Sequence, residues 1–156
     1  MVIVIITGNS TDVGKDVLNR LSQMGYKRLR YFIVSDDADN DDISDVYTKI
    51  DDSIYNMFKD SGILAVTLDE HDTKLGVELP IGTRHYAVLI PEVSMINKLK
   101  EKYENDILTV YIDGKFMDSK PDLDGCEDVD IYISNTEDIK YILYRILSYI
   151  KENRLE

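Results

Sequence analysis

The chain opens on a segment in which glycine, lysine and aspartate are grouped, Gly8-Asn9-Ser10-Thr11-Asp12-Val13-Gly14-Lys15-Asp16. Glycines followed by a lysine, between an apolar run and a helical pattern, read as a phosphate-binding loop. Such a loop, Gly-x-x-x-x-Gly-Lys-Ser/Thr, aims successive backbone N–H groups at a phosphate. The helix behind it adds its positive end, and the lysine reaches the outer phosphates. The candidate nucleotide-binding residues are therefore Gly8, Asn9, Ser10, Thr11, Asp12, Val13, Gly14, Lys15 and Asp16. Lys15 is the leading catalytic candidate, because a lysine near a helix start opposes the helix dipole and needs another reason to be there. The last position departs from the pattern. A hydroxyl that ligates Mg²⁺ is expected, and Asp16 stands there. A carboxylate can ligate Mg²⁺, but at ~5 Å from a phosphate it costs on the order of several kcal/mol unless the metal offsets it.

The surrounding elements suit this chemistry. Residues 2–7 are a continuous β-branched run, the pattern of a strand buried on both faces. Val17, Leu18, Leu21 and Met24 then fall at helical spacing, with Gly25 as the stop. Further strands are expected at 29–35, 46–50, 63–68, 76–79, 86–90, 107–112 and 129–133. Further helices are expected at 53–59, 94–103 and 135–153. Strands alternating with helices predict an α/β parallel sheet flanked by helices. The middle is richer in short strands. The expected division is one domain, with a core of 1–35 and 80–156 and a small strand-rich insertion at 36–79.

Composition narrows the function classes. The chain has 156 residues and is 44% hydrophobic, enough to bury a core without staples. Its net charge of −12 excludes a general phosphate-backbone binder and an anionic membrane surface. No apolar stretch approaches a membrane span, and the first run is too short for a signal peptide, so the expected location is the cytoplasm. One cysteine, Cys126, allows no intrachain disulfide and reads as a small, partly buried thiol. Two histidines exclude a His-rich metal site. The acidic run Asp36-Asp37-Ala38-Asp39-Asn40-Asp41-Asp42 reads as a solvated loop.

Taken in order, these segments resemble the guanylate kinase family of P-loop nucleoside monophosphate kinases. Lys15-Asp16-Val17-Leu18-Asn19-Arg20-Leu21 resembles its loop-to-helix run. Asp45-Val46-Tyr47-Thr48-Lys49-Ile50 and the helix after it are similar to the start of its monophosphate-binding subdomain. Ala87-Val88-Leu89-Ile90-Pro91-Glu92-Val93 looks like its strand bearing an acidic residue near Mg²⁺. Asp128-Val129-Asp130-Ile131-Tyr132-Ile133-Ser134-Asn135 is similar to its last strand and terminal asparagine. The resemblance implies a P-loop fold, ATP and Mg²⁺ as cofactors, and a nucleoside monophosphate as acceptor. It implies Mg²⁺ ligation by Glu92 and adenine contact by Asn135. From the residues themselves, Asp16 is a further candidate Mg²⁺ ligand, and Arg84, ahead of the Glu92 strand, is the second catalytic candidate, reaching a phosphate. Each has a plainer reading: a dipole-favouring acid, a helix-entry carboxylate, a helix N-cap and a surface arginine.

The departures are equally specific. Ser35 is followed by Asp36-Asp37-Ala38-Asp39 where the family has a Ser-x-Thr-Thr-Arg-type segment for the monophosphate. Leu75-Gly76-Val77 replaces Tyr-Gly-Thr. The lid span 113–128 carries Lys115 and Lys120 but no arginine, and a transfer arginine is worth about 10³–10⁵ in rate. The short lid suits the small family members found in phages. Three functions follow: an active (deoxy)nucleoside monophosphate kinase, a degenerate module that binds a nucleotide or a protein partner without transfer, and an unrelated α/β regulator. Lys27, Arg28 and Arg30 form the basic cluster, read as a solvated strand entry. Tyr141, Tyr144 and Tyr149 read as core or subunit contact rather than a base-stacking platform.

Overall fold

The computed structural model describes residues 1–9, 11–35, 46–70, 73–82, 84–113, 129–134 and 138–153. The acidic loop 36–42, the lid beyond Asp113, His71, Cys126, Ser10 and Asn135 lie outside them. The chain divides into two compact units, Met1–Arg28 with Thr83–Glu156, and Leu29–Gly82.

The first unit is a five-stranded sheet built from β1 (Ile3–Gly8), β2 (Lys27–Arg28), β7 (Tyr86–Leu89), β8 (Ile107–Ile112) and β9 (Ile131–Ile133), in the order β2-β7-β1-β8-β9. Every pairing is parallel. Ile3, Val4, Ile5 and Ile6 are wholly buried, which is why β1 reads as an unbroken apolar run rather than an alternating one. Each such side chain contributes roughly 1.5–3 kcal/mol of burial. The edge strand β2 is only two residues long, and Lys27 and Arg28 are exposed, a combination that discourages further strand pairing.

Helix α1 (Thr11–Gln23) packs on β1 and β7, and α4 (Ile139–Glu152) packs on β9 and α1. Helix α3 (Val93–Tyr103) packs on β8. The end of α1 follows from Gly25, at φ 100°. Its N–H bonds to the Ser22 carbonyl at 3.1 Å and that of Tyr26 to the Leu21 carbonyl at 3.0 Å, closing the helix in a Schellman motif. Among the described residues, no helix is long and apolar enough to cross a membrane.

The second unit is a four-stranded sheet in the order β4-β3-β6-β5, from β3 (Tyr31–Val34), β4 (Thr48–Ile50), β5 (Leu64–Glu70) and β6 (Thr73–Glu78). β3 runs parallel to β4 and antiparallel to β6, and β5 and β6 pair antiparallel. Helix α2 (Asp52–Asp60) lies between β4 and β5 in sequence. Asp51 caps it, its carboxylate accepting from the Ile54 N–H at 2.7 Å. Phe32, Tyr55 and Leu64 form the core, with Val34, Ile50 and Phe58 packed against them.

The chain divides after residues 28 and 82, whereas the expected insertion spanned 36–79. The segment 29–35 does not supply a core strand. Lys27 and Arg28 pair with β7, whereas Tyr31 pairs with Val77 in the other sheet. An apolar strand is recognisable locally, but its partners lie dozens of residues away.

One buried hydroxyl links the core of the second unit to its surface charges. Tyr55, 1% exposed, donates to the Asp69 carboxylate at 2.7 Å, and Lys59 bonds to the other Asp69 oxygen at 2.9 Å. Burial, and then the Asp69 hydrogen bond, push the Tyr55 hydroxyl well above its ordinary 10.0. Tyr55 and Lys59 hold Asp69 below 3.8. A phenol held protonated by the fold leaves stability intact below pH 10 and erodes it as pH rises further. A depressed carboxylate adds stability above 3.8 that is lost as pH falls below it. Tyr55→Phe is expected to cost about 1–2 kcal/mol in urea denaturation at neutral pH. It should also flatten the loss of stability above pH 10, and an unchanged alkaline limb would refute this assignment.

Candidate functional site

In a parallel sheet all strands end on one edge, and ligands of open α/β sheets bind there, where the strand order reverses. Here that point lies between β1 and β8. The chain leaves β1 toward β2 on one side, whereas β8 leads to β9 on the other. Gly8 ends β1 and sits beside Ile112, the last residue of β8. Its φ is 131°, and a Cβ there would run into the Ile112 carbonyl oxygen. Only glycine combines that backbone angle with that approach.

The segment after Gly8 differs from the expected loop in two linked ways. Five residues, 9–13, separate Gly8 from Gly14, one more than the four of a Gly-x-x-x-x-Gly-Lys loop. Counted back from Gly14-Lys15, the first loop glycine is replaced by Asn9. The helix also begins earlier than expected, at Thr11, so only positions 9 and 10 join β1 to α1. Asp12 lies in the first turn of α1, where an acid is favourable. Val13 and Gly14 are buried within the helix. A Cβ on Gly14 would lie 3.1 Å from a Leu89 methyl and 3.5 Å from an Ile6 methyl. The second glycine thus brings α1 close to the sheet and makes no turn. Lys15 is half-buried and Asp16 exposed, both inside α1 rather than ahead of it.

Other predicted residues divide by edge. Glu92 follows the end of β7 and so shares the edge of Gly8. It is half-buried and starts α3. The Met95 and Ile96 amides bond to its carbonyl at 3.2 Å, but its side chain does not cap the helix. Arg84 precedes β7, whose Tyr86 is level with Ile3, and therefore lies at the opposite edge. With ~3.3 Å per strand residue, the length of β1 separates it from Gly8 by roughly 20 Å. The register thus sets Arg84 apart from the Gly8 turn, where a phosphate contact was expected. The last helix is capped by Asp138, not Asn135. The Asp138 carboxylate accepts from the Lys140 and Tyr141 amides at 3.1 and 3.4 Å. On that helix the Tyr149 hydroxyl bonds to Asp130 at 3.3 Å, Tyr141 accepts from Arg145 at 3.1 Å, and Tyr144 is exposed.

Two residues at the site edge were not singled out from the sequence. Asp113, directly after β8, is 5% exposed. Its carboxylate accepts from the Asn9 amide at 2.7 Å and from the Tyr132 hydroxyl at 2.8 Å. Burial, and then that bond to Asp113, push the Tyr132 hydroxyl up to about 12. Tyr132 also stacks on Tyr111, with ring centroids 5.7 Å apart. A carboxylate placed directly after the mostly apolar strand Ile107–Ile112 is the sequence signal for such a position.

The site suits Mg²⁺ in one respect. Mg²⁺ keeps most of its water and takes one or two carboxylates together with phosphate oxygens. Glu92 is a carboxylate on the same edge as Gly8. Asp16 lies more than a helical turn past the start of α1. Among the described residues no three His, Cys, Asp or Glu side chains group as a metal site of their own.

A five-stranded parallel sheet in this order, with a glycine turn leading from the central strand into a helix, defines a P-loop NTPase-type fold. The solved guanylate kinase from Anaplasma phagocytophilum is similar to this chain, with a TM-score of 0.68 and 16% identity. The similarity covers 99% of this chain and 87% of that one. The chain thus has a guanylate kinase-like fold. No protein-family model matches the sequence, and no curated protein matches it.

Gly8→Ala combines a strained backbone with a blocked approach. It should destabilise the protein by about 2–4 kcal/mol in urea denaturation. A change within ~0.5 kcal/mol would contradict the close approach of β1 and β8.

Proposed function

We propose that the protein binds a nucleoside triphosphate at the carboxyl edge of its parallel sheet, as a divergent (deoxy)nucleoside monophosphate kinase. The observation that carries this reading is the placement of the Gly8–Asn9 turn. It lies at the switch point between β1 and β8 and leads directly into the amino end of α1. The first four N–H groups of a helix have no partner within it, and the macrodipole makes that end positive. A phosphate seated there needs no basic side chain to be favourable.

In this reading the exposed N–H groups at the start of α1 orient the triphosphate, and Lys15 neutralises its outer charge. Glu92 would hold a bound Mg²⁺, which would supply charge neutralisation across the phosphates. The reaction passes the γ-phosphoryl group in line to a monophosphate oxygen, and ADP leaves. Catalysis of such a transfer is chiefly positioning and electrostatics.

A second reading, binding without transfer, is favoured by the register that takes Arg84 to the opposite edge. The lid span contains no arginine either. A low rate or none is the consequence.

Calorimetric titration with ATP and ADP, each with and without Mg²⁺, tests the common part. Saturable binding that Lys15→Ala weakens by about tenfold or more, the range for one charge-assisted contact, supports it. No binding at millimolar nucleotide refutes it. A screen of nucleoside monophosphates for ADP release then separates kinase from silent binder.

A further inference from the structure

At the position of the first loop glycine the chain carries Asn9, and this side chain is tied down. Asn9 Nδ2 donates to Asp113 Oδ1 at 2.7 Å, and the Tyr132 hydroxyl donates to Asp113 Oδ2 at 2.8 Å. Both oxygens of a carboxylate that is 5% exposed are thereby engaged. Backbone bonds bracket the same point. The Asn9 N–H reaches the Ile112 carbonyl at 3.2 Å, and the Asp113 N–H reaches the Ile133 carbonyl at 2.8 Å. One carboxylate thus joins the carboxyl ends of β1, β8 and β9.

A buried carboxylate that loses a donor is strongly destabilised, because nothing replaces its lost water. Asn9 therefore cannot swing away without leaving Asp113 short of a partner. A glycine at this position would have no such restraint. The turn that the nucleotide reading assigns to phosphate is held from its side chain and from its backbone at once. A turn ordered before binding does not have to be ordered by the ligand, and affinity gains by that amount.

We propose that Asp113 is the positioning residue of the phosphate turn, acting through Asn9, so that nucleotide affinity depends on the Asn9–Asp113 hydrogen bond. This rests on the nucleotide-binding reading above. Asp113 does not touch the ligand in this scheme. It sets where the amino end of α1 points.

The test reverses the pair. Asn9→Asp sets carboxylate against carboxylate. The double variant Asn9→Asp with Asp113→Asn restores one donor and one acceptor, with the roles exchanged. Two readouts are taken on the full chain: ATP·Mg²⁺ affinity by calorimetry, and exchange of the hydrogen-bonded Asn9 and Asp113 backbone amides without nucleotide. Asn9→Asp should weaken ATP by about tenfold or more and speed exchange at those two amides, with exchange in α4 unchanged. The double variant should recover both to within about threefold of the wild type. Recovery is the outcome that general damage to the fold would not produce. ATP binding indifferent to Asn9→Asp, or a double variant as weak as the single one, overturns the inference and leaves nucleotide binding intact. A wild-type chain that binds no ATP overturns the nucleotide reading itself, and this inference with it.

Discussion

β1 is hydrogen-bonded along both sides, to β7 from Ile3 to Ile6 and to β8 from Ile3 to Gly8. A strand in that position has no exposed face and no free edge, so its side chains must be apolar and its ends must be punctuated sharply. Gly8 supplies the punctuation, because its backbone angle and its contact with the Ile112 carbonyl both exclude a side chain. Three positions later α1 begins, and Gly14 seats it against Leu89 and Ile6. The close approach of that helix and the sharp end of that strand together place a helix amino terminus beside the switch point. The remaining features of the site are arranged around that placement.

Parallel pairing also gives the sheet two unlike edges. Gly8, Glu92 and Asp113 come to the carboxyl edge, and Arg84 and His85 go to the other. The carboxyl edge is therefore rich in acidic side chains. Attraction for a phosphate there has to come from backbone N–H groups, the helix end and Lys15. This is an unusual balance for phosphoryl transfer, in which cationic side chains ordinarily take up developing charge. The second unit follows a different economy. It encloses its own aromatic core of Phe32, Tyr55 and Phe58, and Tyr55 connects that core to Asp69 and Lys59. The Lys59–Asp69 and Lys74–Asp52 pairs are largely exposed, so their contribution is small beside that of the core.

The glycine–lysine segment shows how far spacing can be read. Its residue types point to a phosphate loop, and the order of elements points to a guanylate kinase-like fold, which the comparison bears out. The extra residue between Gly8 and Gly14 gives the segment a different use. Asp12 and Val13 are compatible with helix, the apolar face of α1 extends back to Val13, and Val13 is buried there while Gly14 lets the helix approach Leu89. The backbone then forms a helix where a wider loop was expected.

The sequence by itself determined the α/β alternation, the buried central strand, the glycine stops of α1 and α2, and the apolar faces of the helices. Each of these is a local pattern, set by side-chain period and backbone freedom. Only the tertiary structure decided which sheet Tyr31 joins, which edge receives Arg84, and that Asn9 and Asp113 meet. Asn9 and Asp113 are 104 positions apart. Such contacts depend on strand order and register, which are settled by the packing of all strands at once and leave no periodic trace in any one segment.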